Sequence, residues 1–270
     1  MSALFAGVVR DRRRAWLWWV GGLVSMNLLL VSAYGSIRDQ AGIDDVLDDM
    51  PESIRALIGG DTGLSLTSPA GYLNGRVFAN TLPVLLAIFG IGFAARVLAG
   101  DEDAGRLEVV LAHPVPRLRV LAHRGAAVLA MLVALGAVST LSLVALAPTT
   151  GLDDAGLVNI VAASAGALLQ GVLYASVTYG VGAWTGRRAV AVAAGSAVTA
   201  GSFLLQSLAT TAPALHFVRW LAPAFWFVHA KPIVDGFGPM LLPALGALAV
   251  SVVAVGMGAW RFRNRDIGAA

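Results

Sequence analysis

Six apolar stretches, at 16–35, 77–98, 125–147, 157–184, 190–211 and 240–260, alternate with polar segments along the chain. A helix needs about 20 apolar residues to cross the hydrocarbon of a bilayer, so each stretch predicts a membrane-spanning α-helix. Together they predict an all-α integral membrane protein, a single transmembrane domain over 1–270. The first stretch opens with Trp16, Trp18 and Trp19, residues that favour the membrane–water interface. It is too long for a removable signal peptide and lacks the small-residue cleavage site of one. The fourth exceeds the length a crossing needs, and Gly180 and Gly182 predict a tilt or a break near its end.

Charge placement orients the spans. Of nineteen basic residues, all but Arg38, Arg55, Arg76, Arg219 and Lys231 fall on one side of the six-span pattern. Basic residues collect on the cytoplasmic side of membrane proteins, so both termini and the 99–124 loop are expected in the cytoplasm. Composition fits this picture: 57% of residues are hydrophobic and 13% charged, against about 25% charged in soluble domains. The basic balance therefore reflects topology, and no nucleic-acid partner is expected. The absence of cysteine excludes disulfides, thiolate metal sites and cysteine nucleophiles.

Two segments fall on the outer side. Segment 36–76 is rich in acids (Asp39, Asp44, Asp45, Asp48, Asp49, Glu52, Asp61), while Ile43, Val46, Leu47, Met50, Ile54, Leu57 and Ile58 recur at helical spacing. Asp49 as cap, Pro51 at the first position and Gly59-Gly60 at the end would delimit an amphipathic helix. That helix either lies on the outer membrane surface or packs on a partner subunit; the sequence favours neither. Segment 212–239 mixes Pro213, Pro223, Pro232 and Pro239 with Trp220, Phe225, Trp226 and Phe227. A short re-entrant helix, shielded by protein, reconciles its apolarity with its prolines.

The loop between spans two and three carries the candidate chemistry. Asp101, Glu102 and Asp103 sit where the positive end of a helix favours carboxylates. Leu107, Val110 and Leu111 share one apolar face, and Pro114 and Pro116 stop the helix before the next span. Residues 100–113 thus predict one amphipathic helix parallel to the membrane. It either docks in a groove on another protein or simply connects two spans.

The run from Met50 to Arg124 resembles the permease subunits of type-2 ABC exporters, the ABC-2 family. Glu102, Gly105, Leu107, Leu111, Pro114 and Arg117 match the acidic–glycine–leucine–proline–arginine order of that family. Pro51, Gly59, the Thr67–Leu73 run and Pro83 are similar to its antibiotic- and drug-export branch, and the tail Phe262–Ile267 to its usual ending. The resemblance implies that 100–113 is a coupling helix on which a separate ABC ATPase docks. Its contact residues would be Asp101, Glu102, Asp103, Gly105, Arg106, Leu107, Leu111, Pro114 and Arg117. It further implies a second permease copy, as homodimer or heterodimer, and a bacterial cell membrane. Nucleotide binding needs GxxxxGK[ST], which is absent, because the lone Lys231 lies in Val-His-Ala-Lys-Pro. ATP and magnesium are thus expected on the partner, with no cofactor, metal or catalytic residue in this chain.

The span interiors are nearly free of charge, which disfavours an ion-coupled transporter. Asn80, Gln170, Tyr174 and Gln206 could line a path for a hydrophobic or amphipathic substrate, although uncharged polar groups in spans more often join helices. Small residues such as Gly125, Gly136, Gly166, Gly171, Gly195 and Gly201 predict close helix packing. His113, His123, His216 and His229 stand singly and are expected to be solvated or capping. An intramembrane enzyme lacks its signatures here, whether a Gly-x-Ser dyad with a later histidine or clustered aspartates. A non-transporting anchor or assembly factor is the remaining alternative.

Overall fold

The computed structural model describes residues 3–38, 64–65, 67–211 and 217–265. Most of the outer segment 36–76, including the helix expected between Asp49 and Gly60, lies outside the described residues, as do 212–216. Among the described residues every regular element is helical, and six helices are long and apolar enough to cross a membrane.

The first span is α1 (Ala3–Arg38), 36 residues long. At 1.5 Å per residue this is about 54 Å, well beyond the hydrocarbon, so the turns carrying Arg10 and Arg12–Arg14 continue past the apolar stretch. The second span begins with α2 (Pro69–Leu73), where Ser68 accepts the Gly71 N–H at 3.1 Å and Pro69 takes the first helical position. A π-helical turn, Asn74–Phe78, leads on to α3 (Thr81–Val97). Span two thus starts earlier than hydropathy alone predicts.

The helix expected over 100–113 is two helices, α4 (Ala99–Asp103) and α5 (Arg106–Leu111). Gly105 divides them with φ of 69°, a left-handed conformation that glycine adopts without steric cost. The third span is α6 (Arg117–Leu146), the fourth α7 (Leu157–Thr185), the fifth α8 (Arg188–Thr211). Between spans five and six, segment 217–240 folds as short pieces, chiefly α9 (Pro223–His229) and α10 (Pro232–Asp235), each opened by its proline. Both pack on α7. The sixth span is α11 (Leu241–Asn264).

Helix α7 is the hub, in contact with α3, α6, α8 and α11, while α1 packs on α6. Spans two and four are 67% and 61% buried over their most apolar windows; spans one, five and six are only 22%, 22% and 17% buried. The last three are the outer wall of the bundle. The break expected near Gly180 and Gly182 is absent: α7 is continuous to Thr185. Its glycine instead serves packing. A Cβ on Gly258 of α11 would lie 2.5 Å from the Gly180 carbonyl oxygen, so two glycines let these backbones touch. Lipid supplies no hydrophobic force between helices, and such close approach is what holds spans together. Gly125, Gly136, Gly166, Gly171 and Gly195 each face a neighbouring helix in this way, whereas Gly201 has open space around it.

Polar groups add to the packing. Asn27 Nδ2 donates to Ser142 Oγ at 2.8 Å and Ser139 Oγ at 3.1 Å, joining α1 to α6. Tyr179 donates its hydroxyl to the Leu121 carbonyl at 2.7 Å, joining α7 to α6.

Candidate functional site

Helices α4 and α5 stand at the end of the bundle where spans two and three, four and five, and the tail of span six converge. Each acidic residue of α4 has a different partner there. Asp101 faces Arg124 of α6 at 2.8 Å and Arg106 of α5 at 2.6 Å. Arg124 is buried, and it also donates to the carbonyl of Val97 at the end of α3, at 2.5 Å. Glu102 pairs with Arg265, just beyond α11, at 2.5 Å, both side chains largely buried. Asp103 accepts the backbone N–H of Arg188, the first residue of α8, at 3.0 Å. A carboxylate there satisfies one of the unpaired donors of a helix start and suits its positive end.

The turn between α7 and α8 leaves room for this network. Gly186 has φ of 72°, and a Cβ on it would lie 2.6 Å from Glu102 Oε1 and closer still to Arg265. Arg117, at the start of α6, donates to the Arg265 carbonyl at 2.7 Å. The Arg265 guanidinium also lies 5.8 Å from the centre of the buried Phe262 ring.

The sequence places Asp101, Glu102 and Asp103 on a docking face. In the structure Asp101 and Glu102 are half-buried against Arg124 and Arg265, while the exposed Asp103 accepts the N–H at the start of α8. Their partners Arg124, Arg188 and Arg265 are remote in sequence, and only their shared membership of the basic side hinted at the association. Leu107 is fully buried and anchors α5 to the core, with Leu111 half-buried behind it. The outward face of α5 and the turn after it carries Arg106, Glu108, Val109, Ala112, His113 and Pro114, all exposed. Val109 is 67% exposed, an apolar side chain in the middle of that face. Arg106 is held over α4 by Asp101, and His113 Nδ1 contacts the Val109 carbonyl at 3.1 Å.

The polar residues expected along a path are dispersed. Tyr174 is buried and donates to Ser202 Oγ at 3.2 Å, and Ser202 in turn accepts the Ala224 N–H at 2.8 Å. That chain fixes α9 against α7 and α8. Gln170 lines a small cavity between the π-helical turn, α7 and α9, together with Asn74. Asn74 Nδ2 and Gln170 Oε1 are both buried there without a partner among the described residues. Asn80 and Gln206 do not line that cavity; Asn80 precedes α3 without capping it. A larger groove of about 640 Å³ runs between α6, α7 and α11, lined by apolar side chains including Leu121, Leu129, Val172, Val252 and Val255.

Two findings from known proteins bear on this arrangement. The family described as ABC-2 family transporter protein matches residues 8–267. No curated protein matches the chain.

Proposed function

This chain belongs to the ABC-2 transporter family and is a membrane permease subunit, and from that premise we propose that it works as the membrane half of an ATP-driven exporter. A separate ABC ATPase docks on α5 from the cytoplasm, where both termini also lie. ATP and magnesium stay on that partner, because this chain has no phosphate-binding loop. A second permease copy completes the pathway in the bacterial cell membrane; the sparsely buried spans one, five and six offer the surface for it. The cargo is a hydrophobic or amphipathic compound, such as an antibiotic, drug or lipid. The apolar groove between α6, α7 and α11 and the charge-free span interiors support that class.

One observation carries this reading: the exposed face of α5, with Val109 at its centre, stands beyond the spans while its base is tied by ion pairs into them. A short amphipathic helix presented rigidly in this way suits insertion into a groove of a partner protein. The contact residues are accordingly Glu108, Val109, Ala112 and His113, with the carboxylates of α4 behind them.

The test is affinity purification of the tagged chain with its membrane partners. The wild-type protein brings down an ABC ATPase, and Val109→Asp weakens that association about tenfold or more, as loss of a central contact does, without altering extraction or thermal stability. Reproducible purification with no ATPase rejects the reading.

A further inference from the structure

Resting on the docking of an ATPase at α5, we propose that Glu102 and Arg265 form a clamp that transmits displacement of α5 to the sixth span, and that they are positioning residues outside the docking face. Two contacts hold Arg265 and two more hold α4. Glu102 holds the Arg265 side chain at 2.5 Å. Arg117 holds its carbonyl at 2.7 Å, so Arg265 is fixed by α4 through its side chain and by α6 through its backbone. Asp101 ties α4 to α6 through the buried Arg124. Asp103 ties α4 to the start of α8.

Helix α5 follows α4 after two residues and is braced on it by Arg106 and Asp101 at 2.6 Å. A push on the outward face of α5 therefore moves α4, and α4 cannot move away from the end of α11 without parting a largely buried charge pair. Such separation is costly, because each charge is left without its counterion while still largely buried. Gly186 marks the place of the clamp independently. It is the residue of the α7–α8 turn over which the pair lies, and its missing side chain is the space they occupy. A brace that only stabilised the resting fold would not have to link the docking helix to the last span.

The experiment uses the full chain co-purified with its ATPase and reconstituted in liposomes, with ATP hydrolysis by the complex compared with that of the ATPase alone. Glu102→Gln and Arg265→Gln are expected to retain the ATPase on purification. Each should lose about tenfold of the permease-dependent change in hydrolysis, within the range of coupling between linked sites. The exchanged pair Glu102→Arg with Arg265→Glu restores most of it, which assigns the effect to the pairing; loss of coupling in a complex that still assembles is what a merely structural role would not give. Gly186→Ala, which removes neither charge, reproduces the loss by forcing a methyl group into the pair.

Normal coupling in both Gln variants overturns the clamp, as does failure of the exchanged pair to recover in a complex that still assembles. A Gln variant that does not assemble, in a chain that extracts normally, places Glu102 or Arg265 in the docking face and also overturns it. If the wild-type chain brings down no ATPase, the docking reading itself fails, and the clamp with it.

Discussion

Helices α4 and α5 are neighbours of similar length, yet they face opposite ways. Each carboxylate of α4 pairs with another part of the chain, whereas Val109, in the middle of α5, is 67% exposed. The two helices are separated by Ala104 and a left-handed glycine. Without that reversal the acids and the Val109 face would share one helix, with their relative directions set by the 3.6-residue period. A connection between a membrane bundle and a soluble engine has two requirements, a grip on the bundle and a free face for the partner. On the proposed reading, α4 supplies the grip and α5 the free face.

Substitutions can break either half. Asp101→Ala is expected to have the largest effect: it strands the buried Arg124 and should lower stability by about 3 kcal/mol or more, read as a fall in the thermal-unfolding midpoint in detergent. Leu107→Ala comes next, since it empties a fully buried site at the base of α5, at about 2–4 kcal/mol. Gly105→Ala sharpens the comparison: its left-handed backbone disfavours a side chain by about 1 kcal/mol, and the strain should blunt ATPase binding more than overall stability. Arg106→Gln is expected to change stability least, by less than about 1 kcal/mol, because its side chain is 61% exposed. An Arg106→Gln chain as unstable as Asp101→Ala would show that α4 and α5 are a single unit rather than two.

The spans were legible because membrane insertion depends on a local quantity, apolarity summed over one helix length. The short helices within 217–239 follow a similar local rule, since proline is tolerated in the first turn of a helix and breaks its interior. The division of 100–113 was harder to see. Ala104-Gly105 interrupts a pattern that still reads as one amphipathic face, and a glycine in a helix signals a left-handed turn only when its φ is known. Gly180 is ambiguous in the same way: expected to mark a tilt or a break, it lies in a continuous helix and lets α11 approach.

The sequence by itself determined the six crossings, the concentration of arginine on one side and the lack of a phosphate-binding loop. Only the tertiary structure decided which charges meet. Glu102 and Arg265 are 163 residues apart, and no periodicity links them. Their pairing follows from the packing of α11 on α7 and of α4 beneath the α7–α8 turn, and a charge finds its partner through that geometry rather than through spacing in the chain.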